Sequence, residues 1–181
     1  MPLYMREVAV RIFAKELNAS EVIYKSGEDR YAPQYLLTPT GARANRVLIT
    51  GVLTETENIG TDSEYRRARI ADPTGVFILY AGQYRPEALR FLAEAETPCF
   101  VTVIGKVNSF RADDGTLMVS VRPEYICRTD AGTRDAWISE TAERTYERLR
   151  SLEEDPDPEV LRNYSVDLQE YRQMLLDALS D

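Results

Sequence analysis

A mainly β fold, a five-stranded closed barrel with an N-terminal arm and C-terminal helices, is predicted by three observations. Residues 46–128 carry three strand-like apolar segments, one short helical segment and two further strand-like segments, in that order. Turn signals separate them, notably Asp72-Pro73-Thr74-Gly75 and Asp113-Asp114-Gly115. Longer helical stripes come only after residue 128. Three strands, a helix and two strands is the element order of the OB-fold. The chain divides accordingly into an N-terminal arm (1–45), the OB-fold (46–128), a C-terminal helix (129–152), and an acidic linker with a terminal helix (153–181).

In the arm, residues 8–17 fit two patterns: Ala9, Phe13 and Leu17 at helical spacing, or Val8, Val10 and Ile12 as a short strand. Ser26-Gly27-Glu28-Asp29 marks a turn, and Pro33 favours an extended 31–37 segment over a helix. Thr38-Pro39-Thr40-Gly41 punctuates the approach to the barrel. The first barrel strand, 46–54, alternates Val47, Ile49 and Leu53 with Leu48, Thr50 and Thr54, and Gly51 permits the sharp bend this strand needs. A polar loop is expected at 55–64. The second strand sets Ala68 and Ile70 against Tyr65, Arg67 and Arg69 on the opposite face. The third, 76–80, sets Phe77 and Leu79 against Ile78 and Tyr80. Pro86 suits the first turn of a helix over 87–94, with Leu89 and Leu92 on its apolar edge. β-Branched residues make 100–107 the fourth strand, and the fifth runs to about Arg122, with Pro123 at its edge. Thr133 or Asp135 caps a helix over 136–152, with Trp137 flanking the stripe Ile138, Ala142, Tyr146 and Leu149. Residues 153–158 read as a linker, and 166–179 as a last helix with Leu168, Tyr171, Leu175 and Leu179 on one face.

Composition bounds the function. The 181 residues carry a net charge of -8, which gives no long-range steering toward phosphates. The distribution is uneven, however. Arg46, Arg66, Arg67, Arg69, Lys106, Arg111, Arg122 and Arg128 all fall in the barrel segment, whereas acids concentrate after residue 140. The chain has no histidine, which excludes histidine acid–base chemistry. No zinc-type spacing or phosphate-cradling glycine loop is present, so neither enzyme nor cofactor is expected. Cys99 and Cys127 lie in apolar strand-like runs and read as buried free thiols. No long apolar span or signal-like start occurs, so a soluble, cytoplasmic protein without membrane partners is expected.

Gly105-Lys106-Val107-Asn108-Ser109-Phe110-Arg111, after the apolar run 100–104, resembles the fourth strand and following loop of the middle subunit of replication protein A. Residues 47–51, 72–75 and 76–80 resemble that module's first three strands. The layout over about residues 8–152, including the Leu37-to-Gly41 segment, is similar to small archaeal proteins associated with replication protein A; residues 153–181 lie outside the likeness. The resemblance implies non-catalytic binding of single-stranded DNA, in replication and repair, as an accessory or subunit of an archaeal replication protein A complex. It also implies that Phe110 stacks on a base. The matching aromatic of strand three falls near both Tyr80 and Tyr84.

The residues give a parallel argument. Single strands are held by aromatic faces and by cations along the backbone, on the outer face of strands two and three and the flanking loops. That selects Tyr65, Arg67, Arg69, Tyr80, Phe110 and Arg111 as candidate contacts with single-stranded DNA; the resemblance adds Tyr84 and implies replication protein A subunits as partners. The alternative is a structural assembly subunit with little DNA contact, which the acidic net charge favours. The apolar face of the last helix then seeks its cover on another chain.

Overall fold

The structure, a computed structural model, describes residues 7–181, so the first six residues of the expected arm lie outside it. The arm resolves its two patterns by using both. Val10–Arg11 (β1) pairs in parallel with the first barrel strand, and Ala14–Asn18 (α1) follows at once. Val22–Lys25 (β2), Gln34–Leu37 (β3) and Arg43–Ala44 (β4) form a separate three-stranded antiparallel sheet. Pro33 stands just before β3, where a missing N–H costs no ladder bond.

The barrel follows with Arg46–Asn58 (β5), Arg66–Asp72 (β6), Gly75–Ala81 (β7), Pro86–Glu94 (α2), Cys99–Arg111 (β8) and Leu117–Arg128 (β9). The strands run β5-β6-β7-β9-β8, and a β5–β8 pairing closes the circle; β7 and β9 are parallel. This is the OB-fold. One side of every strand fills the interior: Val47, Ile49, Leu53, Ala68, Ile70, Phe77, Leu79, Val101, Val103 and Val121 are at most 1% exposed. Strand β5 serves two neighbours, β8 with its first half and β6 with its second. Gly51 sits where these halves meet, and a Cβ there would lie 2.4 Å from the Ala71 carbonyl oxygen. The bend therefore requires glycine.

The turn Asp72-Pro73-Thr74-Gly75 does more than reverse the chain. The N-cap of α1, Phe13, offers no side-chain oxygen. The Ala14 N–H instead donates to Asp72 Oδ2 at 2.8 Å and the Lys15 N–H to Thr74 Oγ1 at 3.0 Å. A barrel turn thus satisfies helix donors of the arm. Burial pushes the Asp72 carboxyl above its ordinary value, against hydrogen bonds from Ala14, Thr74 and Gly75 that favour the charged form.

Glu16 joins arm to C-terminus. Its carboxylate is fully buried and accepts from the Phe13 N–H (2.9 Å), Thr40 Oγ1 (2.6 Å), Thr145 Oγ1 (3.0 Å) and Arg148 Nη2 (3.1 Å). Four donors and one opposite charge are what a buried carboxylate needs.

Three helices complete the chain: Ala131–Glu154 (α3), Pro158–Asn163 (α4) and Leu168–Leu179 (α5). Helix α3 docks on the barrel through Trp137, whose indole N–H donates to the Leu48 carbonyl at 2.9 Å and whose ring meets Phe13 edge-to-face. Helix α5 has 12 residues, a length marginal in water alone. It packs on α3 and buries Tyr171, Met174, Leu175 and Ala178. Met and Leu burial is worth about 1.5–3 kcal/mol each, so this contact decides that α5 is helical.

Several sequence expectations are corrected. Helix α3 starts at Ala131, capped by Asp130, whose side chain accepts from the Thr133 N–H at 2.7 Å; neither Thr133 nor Asp135 is the cap. The expected linker 153–158 shortens to residues 155–157, because α3 runs to Glu154 and α4 begins at Pro158 behind the N-cap Asp157. The last helix starts at Leu168 rather than 166, behind the cap Asp167. Much of its apolar face is covered within the chain, by α3. Strand β5 runs on to Asn58, which shortens the expected loop, and β8 runs on to Arg111. Strand β9 does not stop near Arg122: Gly105 pairs with Pro123 and Ile104 with Tyr125, so Glu124 is the extra residue of a bulge that admits the proline. Cys99 and Cys127 are free and half-buried.

Candidate nucleic-acid interface

The outer face of β6 and β7 follows from the inner one. Since Ala68, Ile70, Phe77 and Leu79 fill the barrel, Arg67, Arg69, Ile78 and Tyr80 point out, and Tyr65 precedes β6 with the same parity. Register pairs Arg67 with Tyr80 and Arg69 with Ile78 across β6–β7, and Glu57 with Arg67 and Glu55 with Arg69 across β5–β6.

Two of the candidate aromatics form one unit. The rings of Tyr65 and Tyr80 stack with centroids 5.9 Å apart and planes 11° apart. Tyr65 also lies over Gly82, where a Cβ would come within 2.9 Å of its ring, so this glycine leaves room for the stack. Tyr65 remains 42% exposed and Tyr80 is half-buried. Tyr84 projects from the turn before α2, 89% exposed, outside the stack.

The hairpin between β8 and β9 supplies the other aromatic. Phe110 lies on β8, not in the loop, and is 55% exposed. Its cross-strand partner is Met118, itself 46% exposed. Both share the outer side with Tyr80, because Val107 and Val121 of the same strands face the other way and Val121 pairs with Leu79. Arg111, one residue beyond Phe110, has the opposite parity. Its guanidinium donates to the Gly115 carbonyl at 3.3 Å across the turn. The structure therefore turns Tyr65, Arg67, Arg69, Tyr80 and Phe110 outward from the barrel. It does not bring Arg111 or Tyr84 into that group.

Electrostatics distinguishes Arg67 and Arg69, the two outward-facing arginines of β6. Arg67 is ion-paired with Glu57. Arg69 is exposed and has Glu55 opposite it on β5. Each cation thus has a carboxylate beside it, which lowers the positive potential of this face.

Sequence reasoning missed Met118, Asn108, Lys106 and Arg122 as members of the same outer surface. Their positions were legible: pairing outward from Asp114 sets 110 with 118, 108 with 120 and 106 with 122, which is the observed register. Among the described residues, no group of three or more His, Cys, Asp and Glu side chains is arranged to hold a metal. No helix among them is long and apolar enough to cross a membrane.

No protein-family model matches the chain, and no curated protein matches it. Solved structures do. A chain of a replication protein A heterotrimer bound to single-stranded DNA superposes with a TM-score of 0.54 at 12% identity, over 78% of this chain and 98% of that one. The mitochondrial single-stranded DNA-binding protein Rim1 of S. cerevisiae gives 0.37 at 22% identity, over 48% of this chain and 94% of its own. Asparaginyl-tRNA synthetase from Pyrococcus horikoshii gives 0.39 at 20% identity, over 48% of this chain and 20% of its own. At such identities the first likeness shows a shared fold, and a fold alone assigns no ligand.

Proposed function

We propose that the protein binds single-stranded DNA without catalysing a reaction. Bases stack on the Tyr65–Tyr80 unit and on Phe110, with Arg67 and Arg69 toward the phosphates. In this reading it serves archaeal replication and repair in the cytoplasm, as an accessory or subunit of a replication protein A complex. The observation that carries the proposal is the pair of outward-facing surfaces, Tyr65–Tyr80 and Phe110–Met118, which place three aromatic rings on the outside of the barrel. Every base has a π-face, so such platforms bind strands with little regard to sequence. Arg67 reaches a phosphate by exchanging Glu57 for it, which makes the contact salt-sensitive. Tyr84 adds a fourth ring from its turn, and Arg111 meets the strand only around the hairpin tip.

A structural subunit with little DNA contact is the second reading. The net charge of -8 favours it, as does an apolar groove of about 520 Å³ between α3 and α5, lined by Ala142, Tyr146, Leu175, Leu176 and Leu179. Amide chemical-shift mapping with unlabelled oligo-dT separates the two. The DNA reading predicts shifts at Tyr65, Tyr80, Phe110 and Met118, with the α3–α5 groove unmoved. A spectrum unchanged at those four residues supports the structural reading instead.

A further inference from the structure

We propose that Lys106 and Arg122 are a phosphate-binding track that continues the aromatic face across β9 and β8. The inference rests on the single-strand reading above and names where the strand's backbone goes. Leu79 pairs with Val121 in the parallel β7–β9 ladder, so Tyr80 and Arg122 lie one position further along, both facing outward. Arg122 pairs with Lys106 on β8, and Lys106 pairs with Arg46 on β5. One row across the barrel surface thus reads Arg67, Tyr80, Arg122, Lys106, Arg46.

Three cations directly opposite one another on adjacent strands repel, and like-charge pairs in this position destabilise a sheet. The nearby carboxylates do not cancel the row. Glu124, the bulged residue, is held by Arg46 through contacts of 2.6 and 3.1 Å, and Arg85 approaches it at 3.8 Å. The Arg46 hydrogen bonds, with the charges of Arg46, Arg85 and Lys106, hold the Glu124 carboxyl below its ordinary value. Glu7 also lies close to Arg46, which donates to its carbonyl at 3.1 Å, while its carboxylate accepts from the Tyr35 hydroxyl. Four cations (Arg46, Arg85, Lys106, Arg122) therefore face two carboxylates, a local excess of about two positive charges on a protein of net charge -8. Lys106 and Arg122 are exposed, and among the described residues neither forms an ion pair. Asn108, exposed on the same strand two residues from Lys106, adds a neutral donor toward the Phe110–Met118 pair. A phosphodiester backbone passing from Tyr80 toward this pair meets both free cations.

The test is a salt series of oligo-dT binding with the wild type and the Lys106→Ala/Arg122→Ala double variant. Each lost phosphate contact lowers the log–log salt slope by about 0.7 for a single strand, so the variant slope should fall by about 1.4, with weaker binding at low salt. Thermal melting should show the variant at least as stable as the wild type, because a repulsive pair has been removed. A wild type that binds beside a variant with unchanged slope and affinity overturns the track and leaves the single-strand reading intact. A wild type that does not bind overturns both.

Discussion

Replacing Tyr80 and Phe110 together with alanine is expected to weaken oligo-dT binding by about 30-fold or more while leaving the fold intact. A base stacked on an aromatic side chain contributes ~1–3 kcal/mol, and the double variant removes one ring from each platform. Tyr80 also supports Tyr65 from beneath, so its loss disturbs both members of that stack. Neither residue belongs to the buried core, which Phe77, Leu79, Val103 and Val121 form. Circular dichroism melting should therefore leave the variant close to the wild type, and fluorescence anisotropy should show the weaker binding. Equal affinity in a folded double variant would remove both side chains from the site.

The largest stability effect is expected at Glu16. Changing it to alanine deletes the acceptor shared by Phe13, Thr40, Thr145 and Arg148, and leaves Arg148, 19% exposed at its side chain, without its partner. Breaking a buried pair in this way costs about 3–5 kcal/mol. The exposed i,i+3 pair Arg144–Glu147 on α3 is the internal reference, since such pairs contribute only about 0.3–0.5 kcal/mol. Urea unfolding of Glu16→Ala and Glu147→Ala side by side should show that contrast. A Glu16→Ala loss below about 1 kcal/mol would mean that the arm, the Thr38–Thr40 segment and α3 are held together by apolar packing alone.

Glu16 also shows where the sequence stops being readable. Three of its four donors come from Thr40, Thr145 and Arg148, up to 132 positions away. Periodicity sees only a charged residue between Lys15 and Leu17. The barrel was legible because its alternation is local: Ala68, Ile70, Phe77 and Leu79 face inward as their spacing requires, and that parity alone sends Tyr65, Arg67, Arg69 and Tyr80 outward. The stacking of Tyr65 on Tyr80 was not legible, since it depends on cross-strand register and on the space left by Gly82. Pro123 suggested a strand end because a proline removes a ladder donor; the Glu124 bulge absorbs it instead. Helix α4 was hidden in an acidic, proline-containing run, where Asp157 and Pro158 are equally good linker residues and helix starters. The placement of Phe110 and Arg111 on opposite faces follows once β8 is extended to Arg111, which pairing outward from Asp114 implies although the apolar run of the strand ends earlier.

The measurement that tests the central claim most directly is fluorescence anisotropy of labelled oligo-dT against the purified protein at low and moderate salt. The account predicts saturable binding that weakens as salt rises, because cations on the outer face release counterions from the strand. Absence of binding even at low salt would contradict it, and would make the barrel a structural subunit whose aromatic face meets something other than nucleic acid.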